Sequence, residues 1–231
     1  MDFVFPPAPT PSLAIVGHTQ RFPIHRIYCV GRNYAEHAQE MGFTGREAPF
    51  FFLKPADAAL PATADGAVGM PYPSLTQDLH HEVELVVALG RGGRDIAVAD
   101  ALQHIWGYAV GLDMTRRDLQ AQLKKQGRPW CIAKGFEASA PIGALTPAAQ
   151  AGAIEQADIH LQVNGELRQS GNTRDLIWKI AEVIAHLSQA WELQAGDLIM
   201  TGTPAGVGAV QRGDQLQAQV AGLAPLQVRV L

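Results

Sequence analysis

The chain is poor in the features that would announce a compartment or a large partner. Cysteine is nearly absent: Cys29 and Cys131 are the only two, both in apolar surroundings, among 231 residues. Such usage fits a reducing cytoplasm better than a disulfide framework. No apolar run reaches the roughly 18–20 residues that a transmembrane helix needs. The start, Met1-Asp2-Phe3-Val4-Phe5-Pro6-Pro7, lacks a basic segment followed by an apolar one, so no signal peptide is expected. Long basic runs are missing too, and the formal net charge is -4. An extended nucleic-acid footprint is therefore not supported, whereas a small anion could still be held by local positive charge. Neither a central linker nor an internal repeat interrupts the chain. These absences predict a cytoplasmic protein with no nucleic-acid and no membrane partner. It reads as an N-terminal arm with a short hairpin over residues 1–25 and one domain over 26–231.

Hydrophobic residues make up 47% and charged residues 17%, which suffices for a substantial core. Against that background the run Leu79-His80-His81-Glu82-Val83-Glu84-Leu85 stands out. In an extended strand Glu82 and Glu84 project to the same side while Val83 and Leu85 pack on the other. Two carboxylates crowded together raise each other's pKa unless a cation joins them. With Asp113 as a third carboxylate the set becomes an oxygen-only site suited to a hard ion such as Mg2+, Mn2+ or Ca2+, although His80 and His81 could offer nitrogen. A strand whose glutamates are simply solvated is the competing reading.

Along the chain, four prolines before residue 12 read as an extended arm, and Ala14-Ile15-Val16 with Arg21-Phe22 as a peripheral hairpin. Arg26–Val30 reads as a strand delivering a short helix, Tyr34–Met41, on which His37 and Glu40 fall at i and i+3 and can meet as a polarised base. An exposed surface pair has the same spacing. Phe50–Leu53 reads as a buried strand with Lys54 where it emerges, and residues 56–76 as a long loop. Val98–Ile105 has helical character, and Trp106–Leu112 alternates as a strand that delivers Asp113. The next helix is expected from an N-cap at Thr115 to Gly127, with Arg117, Gln120 and Lys124 on one polar face. Pro129–Lys134 reads as a strand ending at Lys134. Asn164-Gly165 marks a type I′ hairpin, and Thr173–Trp191 the main core helix. Gly196–Gly208 opens a strand into a glycine-rich loop. It lacks the Gly-Lys-Ser/Thr ending of a nucleotide P-loop, and suits a carboxylate or enolate oxygen better than a phosphate chain.

Taken together, Val30-Gly-Arg-Asn-Tyr-Ala-Glu-His37, Phe52-Leu-Lys-Pro55, His80-His-Glu-Val-Glu84, Leu112-Asp-Met-Thr-Arg-Arg-Asp118, Val163-Asn-Gly-Glu166 and Gly202-Thr-Pro-Ala-Gly-Val-Gly208 resemble the fumarylacetoacetate hydrolase family, in its small bacterial acylpyruvate hydrolase branch. The resemblance covers roughly residues 26–230. It implies an α+β, β-rich fold, a mixed-sheet β-roll with few helices, usually a homodimer with a mobile segment, here around residues 32–45, over the site. It further implies Glu82, Glu84 and Asp113 as metal ligands, His37 with Glu40 as the water-activating dyad, and Lys134, Arg117, Gln120 and Thr203 around the substrate. The implied chemistry is Mg2+-dependent hydrolysis of a C–C bond in a 2,4-diketo acid such as fumarylpyruvate, giving pyruvate and a carboxylic acid, in aromatic-compound catabolism. Oxaloacetate decarboxylation and dienoate or enol-keto isomerisation use the same metal and enolate. A non-enzymatic binding module with a relict metal site is the remaining alternative.

Overall fold

The computed structural model describes residues 2–34, 46–63 and 66–231. The proposed dyad His37 and Glu40, and most of the helix expected over Tyr34–Met41, lie outside them. Among the described residues the fold is β-rich, with helices confined to a few short segments.

One mixed sheet organises it. Its strands run in the order Phe51–Lys54, Ile27–Val30, Leu198–Met200, Val83–Leu89, Ile105–Leu112, Ala140–Ile142 and Ala59–Pro61, with Thr146–Pro147 pairing beside Ile105–Leu112. Leu198–Met200 is parallel to Ile27–Val30, and Ala140–Ile142 to Ala59–Pro61, while the other pairs are antiparallel. The two edge strands are nearly consecutive in sequence, joined by Pro55 and the single turn Ala56–Ala58. So short a connection between opposite edges requires the sheet to curl round on itself. The β-roll expected from the resemblance is therefore the observed architecture.

Both faces of this sheet are covered, which is why Val83–Leu89 is buried at every position and is apolar throughout except at Glu84. Leu85, Val87 and Leu89 face a large cluster shared with Ile159, Leu161, Leu216 and Ala218. Those four belong to a second, five-stranded sheet whose strands alternate buried and exposed, so its outer face meets solvent. Val86 and Ala88 face a smaller cluster with Leu13, Phe22 and Ile24. The N-terminal hairpin, Ser12–Ala14 with Arg21–Pro23, is thus a lid on the core rather than a peripheral feature. Each fully buried aliphatic side chain contributes about 1.5–3 kcal/mol. That surplus offsets the several kcal/mol per ion lost on burying the charged residues of the site.

Local structure departs from the sequence reading in several places. The strand expected at Leu79–Leu85 is two strands, Leu79–His81 and Val83–Leu89, broken at Glu82. Leu79–His81 pairs with Thr115–Arg116 and Gly208–Val210 in a separate small sheet. The long loop at 56–76 contains the strands Ala59–Pro61 and Ala67–Met70, each recruited by parallel pairing that no local pattern announces. Thr115 lies in a strand and does not cap the next helix, which spans Arg117–Lys125; Asp118 instead accepts from the Thr76 hydroxyl at 2.7 Å and the Gln77 N–H at 3.0 Å. Cys131–Lys134 is one helical turn rather than a strand. Its last carbonyl is held by the Lys54 ammonium and, at 3.0 Å, by the Ser139 hydroxyl, partners that a four-residue pattern cannot reveal. The core helix begins only at Ile180 and ends at Ala190. Before it, the Ile177 and Trp178 N–H groups donate to the main-chain and side-chain oxygens of Asn33, both at 2.7 Å, which holds this stretch extended. The Asn164-Gly165 turn is as expected, with positive φ at both residues.

Candidate metal centre

Glu84 stands on the central strand, and Glu82 sits where the chain passes from the small sheet into the large one. The neighbouring strand ends at Leu112, paired with Val83, so Asp113 emerges beside them and donates its N–H to the Glu82 carbonyl at 2.9 Å. The three carboxylates offer ligand atoms that all lie within 4.8 Å of one another. All three are buried, with no more than 6% of any residue exposed.

Three cations meet two of the three carboxylates, Glu82 and Asp113. The Lys134 ammonium donates to Glu82 Oε2 at 2.8 Å and to Asp113 Oδ2 at 2.6 Å. Lys54 Nζ lies 2.8 Å from Asp113 Oδ1, an ion pair without hydrogen-bond alignment, so that oxygen keeps its lone pairs uncommitted. Arg117 Nη2 bonds Glu82 Oε1, and its other terminal nitrogen bonds Gln120 Oε1. Lys54 does not emerge at the end of its strand; it is 1% exposed, because the curled sheet turns its edge inward onto Asp113.

Burial pushes both glutamates up, but their neighbours separate them. Lys134 and Arg117 outweigh burial at Glu82 and hold it well below the usual carboxylate range. Glu84 lacks such a cation; burial and repulsion from Asp113 and Glu82 push it well above that range, opposed mainly by the Gly202 N–H at 2.7 Å. A buried carboxylate pushed up in this way gains most from an added cation. Three buried carboxylates, one with an uncommitted oxygen, fit a hard divalent ion ligated by oxygen.

The loop after Leu198–Met200 is sewn to the central strand. Thr201 Oγ1 donates to the Leu85 carbonyl at 3.0 Å and Thr203 Oγ1 to the Val83 carbonyl at 2.8 Å. Thr203 also accepts from Gln169 Nε2 at 2.8 Å, so its hydroxyl is committed to the scaffold and not to the cavity, where the resemblance placed it. Gln169 is the residue that sequence reasoning missed: its Oε1 accepts from the Val83 N–H and from His81 Nδ1–H, locking strand, loop and imidazole together. It sits in an ordinary strand pattern and gives no signal. His80 Nε2 lies 2.8 Å from Asp78 Oδ1, and its Nδ1 accepts from Arg117 Nε. Both histidines are thereby engaged, burial lowers the pKa of each, and among the described residues the cluster is built of carboxylates only.

Glu82, Lys134, Arg117 and Gln120 face a cavity of about 250 Å³ whose outer wall is formed by Arg32, Phe50, Phe52, Lys124 and Trp130. Arg117, Gln120 and Lys124 share one face of the helix Arg117–Lys125, and that face lines the cavity. A groove of about 500 Å³ on the outer sheet, near Val68 and Gln217, is larger but is lined by no Asp or Glu among the described residues. Chemistry and not size locates the site.

Known proteins share this fold. Over the whole chain, and 99% of the other, the fold superposes with a TM-score of 0.97 at 54% identity on a fumarylpyruvate hydrolase from Pseudomonas aeruginosa, solved in complex with Mn2+ and pyruvate. The chain is 44% identical over 206 residues to the mitochondrial oxaloacetate tautomerase of Rattus norvegicus, covering 88% of this chain and 90% of that one. It is 43% identical over 196 residues to an oxaloacetate tautomerase of Escherichia coli, covering 84% and 88%. With residues 26–231 matching the fumarylacetoacetate (FAA) hydrolase C-terminal family, and with that family's β-rich fold, the chain belongs to the FAA hydrolase family.

Proposed function

We propose that this protein is a metal-dependent hydrolase that cleaves the C3–C4 bond of a 2,4-diketo acid, most concretely fumarylpyruvate, to pyruvate and fumarate, within aromatic-compound catabolism. The observation that carries the reading is the buried triad Glu82, Glu84 and Asp113 opening through Lys134 and Arg117 into a small cavity. The likeness at 54% identity to a fumarylpyruvate hydrolase holding Mn2+ and pyruvate supports it. Glu82, Glu84 and Asp113 hold the divalent ion, Mg2+ or Mn2+. When bound, that ion orients the 2-oxo acid and stabilises the enolate that leaves.

The chain's own residues do the rest. With a divalent ion bound and Glu84 ionised beside it, three carboxylates balance Lys54, Lys134 and Arg117, and the ion leaves an excess of positive charge that suits a dicarboxylate substrate. Arg117, aligned by Gln120 and His80 and bonded to Glu82, sets its guanidinium in the cavity wall beside a substrate carboxylate. The Lys134 ammonium, whose pKa is raised by Asp113 and Glu82 against burial, remains a cation beside developing negative charge. His37, oriented by Glu40, takes a proton from water as its oxygen attacks C4. The C3–C4 electron pair passes to C3, and protonation there gives pyruvate. A homodimer is part of the same reading.

The curated relatives favour a second reading, oxaloacetate tautomerisation, which needs enolate stabilisation and proton transfer but no attacking water. One assay separates the two. Purified protein with Mn2+ should bleach the diketo-enol absorbance of fumarylpyruvate, stop with EDTA, and release pyruvate in step. His37→Ala should lower that rate by ~10²–10⁴-fold while calorimetric Mn2+ binding survives. Loss of enol absorbance from oxaloacetate without pyruvate release, combined with no turnover of fumarylpyruvate, would replace hydrolysis by tautomerisation.

A further inference from the structure

Gln169 ties the triad to the outer sheet with every bond its amide can make. It stands on the strand Glu166–Asn172, whose partner strand matches Leu161 to Gln169 and Gln162 to Leu167, so Arg168 is the extra residue of a β-bulge. A bulge re-aims side chains. Leu167 and Arg168 both face outward, and among residues 166–170 only Gln169 turns in, 1% exposed. Its amide has one orientation. Oε1 faces the Val83 N–H at 3.0 Å, which can only donate, and Nε2 faces the Pro204 carbonyl at 2.9 Å, which can only accept. With His81 Nδ1–H at 2.9 Å and Thr203 Oγ1 at 2.8 Å, both acceptor and both donor positions are filled.

These partners surround the carboxylates. Val83 lies between Glu82 and Glu84; Gln169 takes its N–H, and Thr203, itself bonded by Gln169, donates to its carbonyl at 2.8 Å. Thr203 and Pro204 directly follow Gly202, whose N–H donates to Glu84. Two glycines let this loop lie against the bulged strand. A Cβ on Gly206 would stand 2.0 Å from the Arg168 carbonyl oxygen, and one on Gly171 2.8 Å from Pro204 Cβ. One amide therefore fixes both the main chain between the two glutamates and the loop that bonds one of them. We propose that Gln169 is a positioning residue of the metal centre, which sets the affinity of the triad for its ion by holding Glu82 and Glu84 in the arrangement that binds it. Its own bonds are all committed, so its effect passes through Val83 and Thr203. The carboxylates need such a hold because they repel one another before a cation joins them. This inference rests on the reading of the triad as metal ligands and holds whichever reaction the centre performs.

The test measures Mn2+ affinity by calorimetry, well below each melting temperature, in wild type, Gln169→Met, Thr203→Val and the double variant. Methionine keeps the length of the side chain and none of its hydrogen bonds. Gln169→Met should weaken Mn2+ binding by roughly 10- to 100-fold. Because Gln169 acts partly through Thr203, the double variant should lose less than the product of the two single losses. Unchanged affinity in folded Gln169→Met, or single losses that multiply in full, would overturn the assignment. A second measurement needs no variant and covers one that does not fold. Coupling is reciprocal, so in wild type Mg2+ should slow hydrogen exchange of the Gln169 side-chain amide several-fold, read by NMR, and leave that of exposed Gln217 unchanged. Equal Gln169 rates with and without Mg2+ also overturn it. Wild type that binds neither ion overturns the metal reading and this inference with it, whereas Mn2+ binding that Gln169→Met leaves intact overturns this inference alone. Affinity lost in Gln169→Met, in a protein that hydrolyses no acylpyruvate, supports the clamp and overturns only the hydrolytic reading.

Discussion

Glu82 and Glu84 are two residues apart, equally buried, and pushed in opposite directions by what touches them. Lys134 and Arg117 make one a firm carboxylate; the other has chiefly a backbone N–H and two carboxylate neighbours. Spacing showed that they share a face, but the identity of their partners depended on residues 117, 134 and 202, distant in sequence. Asp118 shows the same dependence on a smaller scale. Burial raises its pKa, but bonds from Thr76, Gln77 and Leu119 outweigh this and hold it below its ordinary 3.8. A carboxylate with a lowered folded pKa contributes stability that is complete above the ordinary value and fades as pH falls through the folded one. Asp118→Asn should therefore cost about 1–2 kcal/mol at neutral pH. In urea melts the gap from wild type should narrow steadily below about pH 4. A gap independent of pH would remove the charge from the explanation.

At the scale of elements, the loop 201–207 is where backbone geometry and site chemistry meet. Gly202 has φ +99°, and a Cβ there would stand 2.7 Å from the Cβ of buried Asn33. Its N–H is also the donor to Glu84. Gly202→Ala should cost about 2–4 kcal/mol through strain and crowding and weaken Mn2+ binding by displacing Glu84. Equilibrium unfolding and calorimetry on the same sample check both; unchanged stability would show that the loop relaxes freely. The glycine-rich composition marked this loop from sequence, and the Asn-Gly hairpin was equally plain, because positive φ leaves a compositional trace. The late start of the helix at Ile180 left none. Asn33, about 145 positions away, captures the N–H groups of Ile177 and Trp178, and no local propensity reports that.

For the whole molecule, metal and fold are linked. A ligand that binds only the native state stabilises it by about 2.7 kcal/mol at a hundred times its Kd. For a chain of this size that is a rise of roughly 5–10 °C in Tm. Mn2+ should produce such a rise and EDTA reverse it. Glu84→Gln should abolish the gain without lowering the metal-free Tm, since glutamine keeps an acceptor for Gly202 and removes repulsion from Glu82 and Asp113. An undiminished Mn2+ shift in that variant would remove Glu84 from the ion's ligands.

The sequence by itself determined that Glu82 and Glu84 share one face and where the glycine-dependent turns fall, because these are short-range patterns, and its resemblance to the FAA hydrolase family implied the β-rich fold. Only the tertiary structure decided how they are used. Lys54 meets Asp113 because opposite edges of the sheet, joined by one turn, must curl together, and Lys134 joins them from the helical turn Cys131–Lys134, whose last carbonyl Lys54 holds. Thr203 turns away to the scaffold because Gln169 and the Val83 carbonyl claim its hydroxyl. Such contacts form across long sequence separations, where a side chain's partner is fixed by sheet closure and by no local preference.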